Sequence, residues 1–337
     1  MPTDDADSTT MPTSCPRPTR AGEPPAPAHR TMEIGATVRD LVTVSWPDGP
    51  VLLAVSTPAG IQLRDPESGT VVAATPPRHN HDGFRLAWIA PSRGRAYLVS
   101  GGVDGIRRWD PRTLMRIGGP LLPAAAPDLV HLTAVPVRDG RILLAVAADT
   151  RTIRLLDPVT RGQVHPYLYR HDQAIRAMAV VPLSATRSLL ATTARGDGVQ
   201  LWDPETGVRH RPKRTLPTGA VHALAATPLS DGRPGLAVGT GRDIRLWDPG
   251  TDTQHGQPIP LSGMNLCALP LPGGRNILAI DSAAGLRLWD LAAHGPISAP
   301  APFAAPMMTA VPMPDGHTVL ATADHDDTVV RLWNPAP

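Results

Sequence analysis

Residues 244–249 read Ile-Arg-Leu-Trp-Asp-Pro, and this stretch has six near-copies in the chain. The fifth residue of each copy is an aspartate, except for Asn334 in the last. Successive fifth residues are 45, 47, 46, 45, 42 and 44 positions apart. A nearly constant period of this size indicates a repeat architecture, in which one supersecondary unit is copied along the chain. The other copies span residues 61–66, 106–111, 153–158, 199–204, 286–291 and 330–335.

Each repeat has the pattern of four short β-strands. In the third repeat, an apolar run at 132–135 is followed by an Asp-Gly turn, a second apolar run at 142–146, the repeated stretch and a weaker outer segment. Short β-forming runs, with turn residues about every ten positions and no helical period, predict antiparallel strands. Seven such repeats predict an all-β fold, a single seven-bladed β-propeller of four-stranded antiparallel blades over residues 31–337.

The turn after the repeated stretch has a specific chemistry. Residues 203–207 read Asp-Pro-Glu-Thr-Gly, and residues 65–69 read Asp-Pro-Glu-Ser-Gly. The aspartate accepts a backbone N–H, the proline presets φ, and the glycine supplies the positive φ at the exit. We therefore expect the side chains of these turns to be committed to backbone geometry.

The two ends of the chain carry separate predictions. Residues 1–30 are rich in Pro, Thr, Ala and charged residues, which predicts a disordered tail. A polyproline II segment that binds a partner is the alternative. The sequence ends directly after the third strand of repeat seven, so the outer strand of that blade is predicted to come from residues near His29 to Ile34. Such pairing would lock the first and last blades together.

Composition narrows the classes of function. The 337 residues carry a net charge of +2, which argues against nucleic acid or a membrane surface as the partner. The two cysteines, Cys15 and Cys267, cannot build a disulfide framework and favour a reducing compartment. Neither a signal peptide nor a membrane-spanning run is visible, so we expect a cytoplasmic protein, and a monomer. A single lysine, Lys213, among many alanines and prolines favours a GC-rich bacterial source.

Four Trp-Asp pairs and one Trp-Asn pair at regular spacing make the chain similar to the WD-repeat β-propeller family, as found in bacteria. The resemblance extends from about residue 35 to the end of the chain. Arg64 in repeat one and Leu156 in repeat three stand where the family has tryptophan.

The resemblance also implies a set of structural hydrogen bonds. In that family a histidine before the first strand, a serine or threonine in the second, an aspartate in the following turn and the tryptophan form a tetrad. Repeat seven keeps Asp327 and Trp333 without an upstream histidine. Repeat two offers His81, Ser100, Asp104 and Trp109. The best match is in repeat four, with His171, Thr192 or Thr193, Asp197 and Trp202.

Catalytic and metal-binding motifs are absent from the sequence. It contains no G-x-S-x-G, P-loop, H-E-x-x-H or paired C-x-x-C motif, so we expect no enzymatic activity, no cofactor and no bound metal. Residues 79–82 read His-Asn-His-Asp and could hold a metal ion, but a loop between blades is the favoured interpretation. Residues 325–327, His-Asp-Asp, are likewise interpreted as a turn.

Meander geometry predicts which loops share a face of the propeller. The Asp-Pro turns and the Pro-Asp-Gly turns each follow a strand running in the same direction, so both lie on one face. The interblade loops and the turns between second and third strands lie on the other. We predict that a partner, possibly acidic, binds this second face near five residues, which are Arg85, Arg176, Arg195, His222 and Arg242. The alternative is that these arginines pair with nearby aspartates, namely Asp104, Asp149, Asp197 and Asp243.

A second basic cluster lies at residues 209–214, which read Arg-His-Arg-Pro-Lys-Arg. We interpret it as a solvated outer edge guarded by charge and proline, with an acidic partner or a phosphate backbone as the alternative.

The resemblance implies a non-catalytic scaffold that binds another protein. The alternative is a small-molecule binder or an enzyme that uses the central mouth of the propeller. A catalytic role would need two titratable groups brought together in a cleft.

Overall fold

The computed structural model of the chain describes residues 29–46, 49–75, 85–92, 94–102, 105–122, 131–147, 151–165, 168–184, 186–210 and 220–335. These residues form seven antiparallel sheets, which are the seven blades of one propeller. The first strand of each blade contacts the first strand of the next, and the ring closes between blades seven and one.

Strand β1 (His29–Glu33) comes first and belongs to blade seven. Blade one contains β2 (Asp40–Val44), β3 (Leu52–Thr57), β4 (Gly60–Arg64) and β5 (Val71–Ala74). Blade two contains β6 (Arg85–Ile89), β7 (Tyr97–Gly102) and β8 (Gly105–Trp109). Blade three contains β9 (His131–Pro136), β10 (Ile142–Ala147), β11 (Thr152–Leu156) and β12 (Leu168–Arg170).

Blade four contains β13 (Ile175–Ser184), β14 (Arg187–Ala194) and β15 (Gly198–Trp202). Blade five contains β16 (Val221–Pro228), β17 (Pro234–Thr240), β18 (Ile244–Asp248) and β19 (Thr253–Ile259). Blade six contains β20 (Asn265–Pro270), β21 (Asn276–Ser282), β22 (Gly285–Asp290) and β23 (Gly295–Pro296). Blade seven adds β24 (Met307–Pro312), β25 (Thr318–Ala323) and β26 (Val329–Trp333) to β1.

The seven-bladed, all-β prediction is confirmed, and five of the seven blades have four strands among the described residues. Blades two and four have three strands each among the described residues. In blade two, the outer segment reaches the third strand only through two isolated bridges, Trp109 with Arg116 and Ile106 with Leu122. The Gly-Gly-Pro sequence at 118–120 lies between those bridges, and it interrupts a continuous ladder. In blade four, a single bridge joins Trp202 to Arg209.

The predicted closure of the ring is confirmed. Strand β1 pairs antiparallel with β26, from His29 opposite Trp333 to Glu33 opposite Val329. Met32 and Ile34 are buried in the apolar cluster between blades seven and one. Strand β1 thus includes two residues, His29 and Arg30, that the sequence analysis assigned to the end of the tail. Residues 1–28 of the predicted tail lie outside the described residues.

The core lies between adjacent blades, where the third-strand tryptophans fill the widening gap. Trp202 of blade four packs among Val135 and Leu143 of blade three, and Trp333 of blade seven packs against blade six. Burying such a ring removes roughly 150–250 Å² from water. In blade one, the buried Arg64 takes this position, and its guanidinium donates to the carbonyl oxygens of Gly69 (2.9 Å) and Ile34 (3.4 Å).

The described part of the chain has no helix beyond two short 3-10 turns, at Arg138–Gly140 and Pro272–Gly274. None of its helices is long and apolar enough to span a membrane.

Candidate interaction face

The four tetrad residues predicted in blade four are brought together. His171 is buried, and its Nε2 lies 2.9 Å from Oγ1 of Thr192, while its Nδ1 lies 3.3 Å from Oδ2 of Asp197. The indole Nε1 of Trp202 donates to the same Thr192 hydroxyl at 2.9 Å. Burial lowers the pKa of His171, and the hydrogen bond to Asp197 partly offsets that effect. The neighbouring Thr193 instead donates to the Gly198 carbonyl.

Other blades retain only parts of this network. Trp109 donates to Ser100 in blade two, and Trp333 donates to Thr322 in blade seven, both at 2.8 Å. His81 and Asp104, the other two residues predicted for blade two, lie outside the described residues. In blade six, Ile280 occupies the register position of Thr192, and the buried Trp289 indole N–H has no hydrogen-bond partner within the described residues. The tetrad residues therefore serve the fold rather than a ligand.

One face of the propeller carries the Asp-Pro turns, and we call it the turn face. In six blades, Oδ1 of the turn aspartate accepts the backbone N–H groups two and three residues later, at 2.7–3.4 Å. This is the geometry of an Asx turn, which satisfies backbone donors that no strand can pair. The six aspartates are Asp65, Asp110, Asp157, Asp203, Asp248 and Asp290.

The other carboxylate oxygen of these aspartates also has a partner. In blades two to six, an arginine at the entrance of the second strand forms an ion pair with it, for example Arg275 with Asp290 at 2.6 Å. The sequence analysis missed these pairs, although an arginine stands 15 or 16 residues before each of the five aspartates. The other pairs are Arg95–Asp110, Arg141–Asp157, Arg187–Asp203 and Arg233–Asp248.

The opposite face carries the interblade loops and the central mouth, and we call it the mouth face. Arg85 opens β6, while Arg176 and His222 lie near the starts of β13 and β16, so three of the five predicted residues lie at strand entrances. His131, at the start of β9, is a fourth member that the sequence analysis missed. Its position in the repeat could have identified it, because His131 is the first residue of the inner strand, as Arg85 is in blade two.

Contacts join three of these residues across blades three to five, and Arg85 of blade two acts electrostatically on His131. His131 Nε2 lies 2.7 Å from the carbonyl oxygen of Arg176, and Nη1 of Arg176 lies 3.5 Å from Nδ1 of His222. Burial lowers the pKa of His131 to about 4, and the charge of Arg85 adds to the effect. Burial and the charge of Arg176 lower the pKa of His222. Both imidazoles are therefore neutral at pH 7, and they face permanent guanidinium charges.

The remaining two predicted residues lie apart from this group. Arg195 and Arg242 are exposed in the turns between the second and third strands of blades four and five. Their backbone N–H groups hold those turns, since Arg195 donates to the Ala174 carbonyl and Arg242 donates to the Thr240 hydroxyl. The structure thus places all five predicted residues on one face, but contacts join only Arg176 and His222 with His131, and Arg85 acts on His131 through its charge.

The predicted pairing of these arginines with aspartates is not seen among the described residues. Asp197 contacts His171, and Asp243 contacts Arg245 and Thr240. Asp104 and Asp149 lie outside the described residues. The carboxylate of Asp40, which acts electrostatically on Arg85, accepts the backbone N–H groups of Leu41 and Leu86 at 3.0 and 2.7 Å. No described carboxylate lies within 4 Å of the guanidinium groups of Arg85, Arg176, Arg195 or Arg242.

The basic cluster at 209–214 is described only at its first two residues. The guanidinium of Arg209 lies 4.9 Å from the Trp202 ring centroid and donates to Gln200 Oε1 at 2.7 Å. Arg209 is thus held against its own blade, while residues 211–214 lie outside the described residues.

The part of the chain that the structure describes contains neither a metal-binding group of side chains nor a reactive thiol. It contains no group of three or more histidine, cysteine or acidic side chains that could hold a metal ion. Residues 79–82 lie outside that part. Burial raises the pKa of the Cys267 thiol to about 12, so this cysteine is not a thiolate at neutral pH.

No protein-family model matches the chain, and a search of curated proteins finds no match either.

Proposed function

We propose that the chain is a WD-repeat propeller that acts as a non-catalytic scaffold and binds a protein partner on its mouth face. The propeller fold is commonly used for protein interaction, and a rigid disc that presents irregular loops around an opening suits this role. Fold alone does not decide function, so the proposal depends on the surface.

The proposal rests on one observation, which is that arginines of the turn face form ion pairs while Arg85 and Arg176 of the mouth face do not, within the described part of the chain. On the turn face, arginines of five blades form ion pairs with aspartates of the fold. On the mouth face, Arg85 and Arg176 have no carboxylate within 4 Å among the described residues. An arginine without a carboxylate partner in the fold is available to a carboxylate or phosphate of another molecule, because its planar guanidinium offers paired donors.

Position-specific crosslinking tests which face is used before the partner is known. A photo-crosslinking residue is placed at Arg195 on the mouth face, and in a second variant at His317, beside the turn face. The proposal expects a protein crosslinked from the mouth position and absent from the turn position. Equal capture from both positions, or capture from the turn position alone, would contradict it.

The identified partner then allows a quantitative test. Arg176→Ala combined with Arg242→Ala is expected to weaken binding at least about tenfold, since each charged contact contributes about 1–3 kcal/mol. The melting temperature should not change. The matched control is Arg112→Ala combined with Arg161→Ala on the turn face, which should leave affinity unchanged. Unchanged affinity in the mouth variant would reject this face as the binding surface.

A further inference from the structure

Arg85, His131, Arg176 and His222 concentrate cationic and hydrogen-bonding groups on one side of the opening of the mouth face. They come from four successive blades, two to five, and two of them are permanently charged. At the same strand entrance, blades six and seven present Asn265 and Met307 instead. The positive charge therefore lies on one side of the mouth, along blades two to five, and we call these four residues the positive arc.

The contacts also determine which ring nitrogen of each neutral histidine carries the proton. Because a carbonyl oxygen only accepts, His131 must donate through Nε2 to Arg176, which leaves Nδ1 as the acceptor in the neutral ring. His222 Nδ1 accepts from the Arg176 guanidinium, which leaves Nε2 carrying the proton. On protonation, His131 would gain an N–H donor at Nδ1, which has no hydrogen-bond acceptor among the described residues.

The fold leaves the charge of this arc poorly compensated. Desolvation raises the pKa of Asp40, the carboxyl group that acts on Arg85, and two backbone N–H groups occupy its oxygens. The positive charges of Arg85 and Arg176 also help to hold the two imidazoles neutral. A bound anion would reverse this effect, because an adjacent negative charge favours protonated histidine.

We propose that Arg85, His131, Arg176 and His222 form a cradle that binds one oxyanion group, either a phosphoryl or a carboxylate group. This inference rests on the proposed function, since the oxyanion belongs to the partner that the mouth face binds. Binding is coupled to proton uptake by the two histidines, so the cradle binds an anion more tightly as the pH falls from about 8 to about 6. The groups that face the histidines are Arg85 and the Arg176 carbonyl for His131, and Arg176 for His222.

The test uses the full chain and two simple anions at constant ionic strength. Sulfate represents a tetrahedral dianion whose charge does not change near neutral pH, and succinate represents carboxylates. The ring signals of His131 and His222 are followed by NMR during each titration, after assignment with His131→Asn and His222→Asn. Saturable shifts of both rings are expected, with sulfate affinity at least about threefold higher at the lower pH. Sulfate binding tighter than succinate would assign the phosphoryl source, and the reverse would assign a carboxylate.

Variants distinguish sulfate binding in the cradle from a general attraction of sulfate to the positive charge of this face. Arg176→Gln should weaken sulfate binding at least about fivefold, and Arg85→Gln should do the same. Arg242→Gln, on the same face but outside the cradle, should leave it within about twofold, because an exposed charge at a distance is screened by salt. Circular dichroism verifies that each variant is folded. Shifts that do not saturate, or equal weakening by Arg176→Gln and Arg242→Gln, would overturn the cradle.

The two proposals can fail separately. Loss of partner binding in the Arg176→Ala, Arg242→Ala variant without anion binding would retain the interaction face and reject the cradle. Anion binding with unchanged partner affinity would retain the cradle and reject the interaction face.

Discussion

The turn face and the mouth face are built from the same seven repeats, yet they use charge differently. On the turn face, the aspartate of each Asx turn caps two backbone N–H groups and, in five blades, also holds an arginine. On the mouth face, Arg176 contacts the neutral ring of His222, and no described carboxylate lies within 4 Å of Arg85 or Arg176, although Arg245 of blade five pairs with Asp243. The turn-face arginines are therefore paired within the fold, whereas Arg85 and Arg176 have no carboxylate partner among the described residues.

This difference follows from the chain path. The turn after the repeated stretch must reverse the chain in a fixed geometry, so the sequence there is nearly constant from repeat to repeat. The interblade loops only connect one blade to the next, so their residues are less constrained. Selection for binding can act on the mouth face without disturbing the strand ladders.

The largest loss of stability is expected from opening the ring of blades, on which both faces depend. Deleting residues 1–36 removes strand β1, with the buried Met32 and Ile34 and the Arg30 guanidinium that binds the Pro66 and Glu67 carbonyls. We expect a loss of at least about 3 kcal/mol, since each buried apolar side chain alone contributes about 1.5–3 kcal/mol. Thermal unfolding measures it as a clear drop in melting temperature.

The matched control for the closing strand is deletion of residues 1–22, which leaves β1 intact. We expect its melting temperature to equal that of the full chain. If the two truncations are equally stable, β1 does not hold the ring closed.

A smaller break removes one turn aspartate. Asp290→Ala loses the hydrogen bonds from the Ala292 and Ala293 N–H groups and leaves Arg275 without its partner. We expect a loss of about 2–3 kcal/mol in the free energy of unfolding, measured with urea. Asp326→Ala, an exposed aspartate on the mouth face, is the control and should change it by less than about 0.5 kcal/mol. Similar losses in both variants would remove the distinction between the faces.

The repeat period and the turn chemistry were sufficient to predict the fold. Each copy of the repeated stretch forms a third strand, and the pairing of β1 with β26 was predictable because repeat seven lacks its own outer strand. These features are local or periodic, so they are readable without knowledge of distant contacts. Among the described residues, blades two and four show three strands rather than four, and in blade two Gly-Gly-Pro at 118–120 interrupts the outer ladder.

The candidate site was only partly predictable. Meander geometry placed Arg85, Arg176 and His222 on one face, but the sequence does not reveal which of them touch. His131 was missed because its partner is the backbone of the next blade, 45 residues away. Arg195 and Arg242 were included because the turns between second and third strands share this face, and the structure places them in those turns, apart from the other three.

Lowering the pH tests the mouth face separately, through the protonation of His131. Its pKa is about 4 in the folded protein, below the ordinary value of 6.5, so the fold favours the neutral ring. That contribution to stability is fully present above about pH 6.5 and is lost as the pH falls towards about 4. Between about pH 7 and about pH 5, wild type should lose about 1–2 kcal/mol more than His131→Asn. Urea unfolding at both pH values measures this difference, and identical losses would show that His131 is not held neutral by the mouth face.

The most direct test of the central claim compares two double variants in one unfolding assay. Arg85→Gln with Arg176→Gln changes the mouth face, and Arg187→Gln with Arg275→Gln changes the turn face, where the arginines pair with Asp203 and Asp290. The mouth variant should keep the free energy of unfolding within about 0.5 kcal/mol of wild type or exceed it, because like charges are removed. The turn variant should lose about 1–2 kcal/mol. A loss in the mouth variant as large as in the turn variant would show that its arginines serve the fold, and would contradict the account.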